Sequence, residues 1–168
     1  MMKTKKIAFL GLLLGIAVII NYIESFIPFL LIPGSKLGFS NIIIMIILYK
    51  YGFKDSFTVL ILRIFIIGIF KGNLFMYPFY MSLFGGLFSI LIMTILKKLN
   101  IFSEIGVSVC GAITHSIVQV IVAIIFIDTF EIIYYLPYLL LVSLITGLLV
   151  GIITKKINTF TVFNDIKE

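Results

Sequence analysis

Charge is what this sequence has least of. Asp, Glu, Lys and Arg make up 12% of its 168 residues, against about 25% in a soluble domain. Apolar residues make up 62%, more than a soluble fold this small can hide, so lipid must be the solvent for most of the chain. The other scarcities each exclude a chemistry. A single cysteine, Cys110, inside an apolar segment, leaves no internal disulfide and reads as a small packing residue. A single histidine, His115, suggests no Ser-His-Asp set. There is no His/Cys cluster with metal-ligand spacing. No G-x-x-x-x-G-K-[ST] loop occurs, which removes ATP hydrolysis by that route. Binding a diphosphate through Mg²⁺ needs clustered carboxylates. With seven acids in all, Asp128 and Glu131 cannot supply two such clusters. The inventory describes a protein that is not an enzyme by itself and needs no metal or cofactor.

What is present is a series of long apolar runs, which read as one all-α integral membrane domain over 1–168 with six transmembrane helices. Spans of roughly 17–25 apolar residues place these at about 7–30, 37–51, 55–70, 77–96, 105–127 and 132–153, with a cytoplasmic tail at 154–168. Helices 2 and 3 are short, and a single re-entrant hairpin is the alternative for them. Lys50, Gly52, Lys54 and Asp55 between them favour an aqueous turn. The first 20 residues resemble a signal peptide, but no small-x-small cleavage site follows, so a retained first helix is expected.

The net charge of +6 does not point to nucleic acid, because the lysines fall in small groups between spans and form no patch. With both termini cytoplasmic, the inner segments hold ten lysines: Lys3, Lys5, Lys6, Lys50, Lys54, Lys97, Lys98, Lys155, Lys156 and Lys167. The outer segments hold two, Lys36 and Lys71. This is the expected cytoplasmic excess, and an odd number of spans would spoil it. Tyr49 and Tyr51 fall at the inner interface, and Tyr77, Tyr80, Tyr134, Tyr135 and Tyr138 at the outer one, as interfacial anchors.

The polar residues of the spans gather in the outer half. Glu24 ends helix 1, Ser40 and Asn41 begin helix 2, Arg63 interrupts helix 3, and His115 and Gln119 lie on one face of helix 5 with Ser108 and Gly111. Ionisable groups in a span mark a site by default. Glu24, Lys36, Asn41, Arg63, His115 and Gln119 are therefore the expected substrate-binding or pocket-supporting residues. The alternatives are a structural Glu24–Arg63 salt bridge and simple interhelical hydrogen bonds for His115 and Gln119. Lys71 reads as a solvated loop residue. Two stripes of small residues, Gly11/Gly15 and Ser143/Gly147/Gly151, have the spacing that brings helices close in lipid. Packing within the chain is expected for the second stripe and a partner-binding role is carried for the first.

Several segments carry a family resemblance. Tyr22-Ile23-Glu24-Ser25 and Pro33-Gly34-Ser35-Lys36-Leu37-Gly38-Phe39-Ser40-Asn41 resemble the signature of the Gx transporter family, whose members are labelled heptaprenyl diphosphate synthase component I. Tyr51 to Asp55, Leu62-Arg63, Gly85-Gly86-Leu87, Ile105 to Ser108 and Ala112 to His115 extend the likeness over about residues 7–155. That family is similar in turn to the substrate-binding (S) components of energy-coupling factor (ECF) transporters. The resemblance implies a six-helix S-component-like bundle that captures a small vitamin-like, isoprenoid- or flavin-related molecule from outside. It also implies docking on a transmembrane coupling protein with two ATPases. Gly11 and Gly15 would contact the coupling protein, where alanine is usual, and the loop at 31–38 would help gate the pocket. The alternative is a non-catalytic membrane subunit of a heptaprenyl diphosphate synthase.

Overall fold

The computed structural model describes residues 3–24 and 38–159, and every regular element in them is helical. Helices α1 (Lys3–Glu24), α2 (Ser40–Lys50), α3 (Phe53–Phe70), α4 (Tyr77–Leu99), α5 (Glu104–Ile127) and α6 (Leu136–Thr159) follow one another, with a 3-10 helix, Phe130–Tyr135, leading into α6. Helix is the form that long uninterrupted apolar runs take in hydrocarbon, because it satisfies each backbone N–H and C=O within its own segment. The ends carry ordinary stop signals. Gly52 opens α3 at φ 91°, a conformation that costs glycine nothing. Asn100 and Asp128 close α4 and α5 in the left-handed region. The Ser103 hydroxyl accepts from the Gly106 N–H at 3.4 Å at the start of α5.

Four segments are long and apolar enough to cross a bilayer: Thr4–Glu24, Tyr77–Leu99, Glu104–Ile127 and Phe130–Thr159. The chain is an all-α membrane protein. The two expected short helices fall outside that set. Helix α2 has 11 residues, about 16 Å at 1.5 Å per residue, or half of a hydrocarbon core about 30 Å thick. Residues Ile43 to Leu48 are all buried, so this helix is apolar on every side because protein surrounds it. Helix α3 has 18 residues and carries Lys54, Asp55 and Arg63.

The observed bounds differ from the expected ones in specific places. Helix 2 does not take in residues 38, 39 or 51. Helix 4 runs on to Leu99, and helix 6 reaches Thr159, so 154–159 are helix rather than tail. The stretch 132–135 is 3-10 helix. Residues 25–30 of the expected first helix, and all of the expected gating loop except Gly38, lie outside the described residues.

The helices alternate in direction, as contacts at their ends show. Lys6 at the start of α1 meets Asp55 at the start of α3 at 2.7 Å. Lys97 near the end of α4 donates to the Leu48 and Tyr49 carbonyls at the end of α2, at 2.7 and 3.2 Å. Asn158 at the end of α6 donates to Glu104 at the start of α5 at 3.0 Å. At the opposite end, Asn21 of α1 donates to the Ser40 hydroxyl of α2 at 3.2 Å.

Helix α5 packs most closely, against α4 on one side and α6 on the other, through glycine. A Cβ at Gly151 would stand 2.7 Å from the Ile105 Cα, and one at Gly147 would stand 2.9 Å from the Val109 Cα. The stripe on α6 therefore serves packing within the chain. Gly11 and Gly15 are exposed, with open space where a Cβ would be. The opposite face of α1, with Leu13, Ala17, Asn21 and Glu24, is buried.

Candidate functional site

Because α2 is half-length, the described residues leave space above its N-terminus. A cavity of about 230 Å³ lies there, bounded by α1, α2, α3, α4, α5 and α6 and lined by Asn21, Ser40, Asn41, Arg63, Lys71, Asn73, His115, Gln119, Ser143 and Thr146 among its polar residues. Ile64, Ile67, Phe79, Met81, Leu139 and Val142 form apolar parts of the wall. A smaller void of about 30 Å³ shares Gly38, Asn41, Ala112 and Thr146 with it and continues between Met45, Met93 and Val150.

Arg63 anchors the floor. It stands ten residues into α3, about 15 Å along the axis, which is mid-depth in a bilayer. It lies on the buried stripe of α3 with Ser56, Leu60 and Ile67, and is 5% exposed. Its Nη2 donates to the Asn41 side-chain oxygen Oδ1 at 3.2 Å, while Nε and Nη1 have no hydrogen-bond partner among the described residues. Asn41 is presented by the first turn of α2, which Glu24 holds. The Glu24 carboxylate accepts from the Phe39 N–H, so an acid satisfies an orphan donor at a helix N-terminus. Glu24 also acts electrostatically on Arg63, but the hydrogen bond from the guanidinium goes to Asn41. The structure thus places Glu24 as a support of the cavity, not as a lining residue.

On α5, His115 and Gln119 face the cavity, and Gly85 of α4 makes room for them. A Cβ at Gly85 would lie 3.0 Å from the His115 ring and 3.2 Å from Gln119 Cγ. Ser89 bonds the Gly111 carbonyl at 2.9 Å just below, closing α4 on α5. Gln119 is buried and His115 half-buried.

Four of the six expected site residues, Asn41, Arg63, His115 and Gln119, come together on one cavity. Lys36 lies outside the described residues. Lys71 is a correction, since it is half-buried and lines the cavity instead of standing free in a loop. Burial pushes its ammonium below the ordinary lysine value, and the Glu24 carboxylate opposes that shift. Asn21 and Asn73 are further lining residues that the sequence reading did not select. For Asn21 the signal was its spacing, since it continues the Leu13–Ala17 stripe toward Glu24.

Among the described residues, no group of three His, Cys, Asp or Glu side chains comes together. What the cavity offers is a set of hydrogen-bond donors, two cations and an apolar wall, which is equipment for holding a small molecule.

A family model for heptaprenyl diphosphate synthase component I matches residues 13–157. No curated protein and no solved structure matches the chain. The matched span contains α2 to α5 whole, the second half of α1 from Leu13, nearly all of α6, and all of the described cavity residues. The chain belongs to the heptaprenyl diphosphate synthase component I family.

Proposed function

We propose that this protein is the substrate-binding membrane subunit of an importer of the energy-coupling factor type, taking up a small vitamin-like or isoprenoid/flavin-related molecule. The observation that carries this reading is Arg63, buried at mid-depth on a polar cavity with two nitrogens that have no partner among the described residues. Structural roles for a membrane arginine satisfy its donors within the bundle. The lysine distribution supports a cell-membrane location with both termini in the cytoplasm and the cavity toward the outside. The small size of the six-helix bundle and the lack of an ATP-binding loop favour a subunit driven by partners: a transmembrane coupling protein and two ATPases. The exposed, open face at Gly11 and Gly15 is a suitable docking stripe for the coupling protein.

A second reading, a non-catalytic membrane subunit associated with a heptaprenyl diphosphate synthase, is favoured by the family's description. Purifying the tagged chain from its native membrane in mild detergent separates the two. Recovery of a coupling protein and two ATPases, lost in the Gly11→Leu/Gly15→Leu variant, supports the importer. A soluble, carboxylate-rich prenyl synthase partner without any ATPase supports the second reading and sinks the first.

A further inference from the structure

We propose that the molecule held in this cavity carries one compact anionic group, a carboxylate or a phosphate, seated on Arg63 and reached by Lys71. The inference rests on the reading that the cavity binds a small molecule, and it names the class of that molecule. The charges lining the cavity are of one sign. Arg63 and Lys71 line it, and no Asp or Glu is among the described lining residues. The neighbouring acid, Glu24, is engaged at the start of α2 through the Phe39 N–H.

The guanidinium supplies the second argument. One of its nitrogens is satisfied by Asn41, and the other two are buried without a partner among the described residues. Leaving charged donors unmade in a low-dielectric interior is unfavourable, and an anionic acceptor is the chemistry that satisfies them best. Lys71, at the end of α3, adds a second cation two turns further out along the same helix.

The body that carries the anion would rest against the apolar wall at Ile64, Phe79 and Leu139.

The test is thermal unfolding of the purified full chain in detergent, titrated with sodium benzoate, inorganic phosphate and inorganic diphosphate against sodium chloride at matched ionic strength. Stabilisation by benzoate alone assigns a carboxylate, and stabilisation by the phosphates assigns a phosphate ester. In either case Arg63→Gln should weaken the response about tenfold or more. No stabilisation above chloride by any of the three overturns the proposal. So does a response that survives Arg63→Gln, because the anion would then be sitting on the lysines at the other end of the bundle. Should Arg63→Gln fail to fold, Lys71→Gln, just past the end of α3, takes its place. It should weaken the response several-fold, and unchanged affinity there counts against the site. Mass spectrometry of compounds released from the wild-type protein keeps the two levels apart. A neutral compound overturns the anion and leaves the binding-subunit reading standing. Recovery of neither a compound nor a coupling protein sinks that reading, and the anion with it.

Discussion

Arg63 and Glu24 are both buried in a bundle that is otherwise apolar over most of its length, and each charge costs several kcal/mol to hold there. If the pair existed to stabilise the fold, removing both charges would be destabilising. If it exists to present a guanidinium to a ligand, the fold carries it at a cost. The double variant Glu24→Gln/Arg63→Met should then unfold at the wild-type temperature or up to a few degrees above it, while losing ligand. A fall of about ten degrees or more would make the arginine structural. Glutamine keeps an oxygen for the Phe39 N–H, so the start of α2 is not lost with the charge. Arg63 was readable because a charge inside an apolar run has no bland place to go. Asn21 and Lys71 were not. A neutral amide hardly interrupts an apolar run, and a lysine at a helix end has the same pattern whether it faces water or a cavity.

Among the elements, α2 determines where the site is. Its first turn sits at mid-depth because only 11 residues separate it from the basic end, and the space above it is what the other helices enclose. The number, order and type of the helices were legible from apolar runs and their breaks, since both follow from local composition. That α2 is short was legible too, but not that protein surrounds it. An uninterrupted apolar stretch gives no period from which to tell a lipid-facing helix from one buried on all sides. The glycines of α6 were legible as a stripe, but their partner was not. Gly151 lies against the Ile105 backbone, which cannot swing away as a side chain could. Gly151→Leu should therefore separate α6 from α5 and destabilise the protein by about 2 kcal/mol or more. Thermal unfolding in detergent reads this directly. The same substitution at Gly15, whose Cβ direction is open, should leave the unfolding temperature within a degree or two and act only on assembly with partners. A matching loss of stability at Gly15 would show that α1 packs within the chain on that side too.

For the whole molecule, the question is which face of the membrane the cavity opens toward. End contacts bring the starts of α1, α3 and α5 together with the ends of α2, α4 and α6. That end carries Lys5, Lys6, Lys50, Lys54, Lys97, Lys98, Lys155 and Lys156, while the cavity end carries Lys71 among the described residues. Lysine excess marks the cytoplasmic side because the charges resist translocation during insertion, so the cavity is expected to face outward. Cys110 is the single native thiol, and a Cys110→Ser background makes the orientation measurable with one new cysteine at a time. Glu131→Cys, exposed at the cavity end, should react with a membrane-impermeant maleimide on intact cells. Lys98→Cys, at the basic end, should react only after the membrane is permeabilised. The reverse pattern would put the cavity in contact with the cytoplasm. An importer's capture subunit could not work in that orientation, whereas a membrane subunit serving a soluble synthase could.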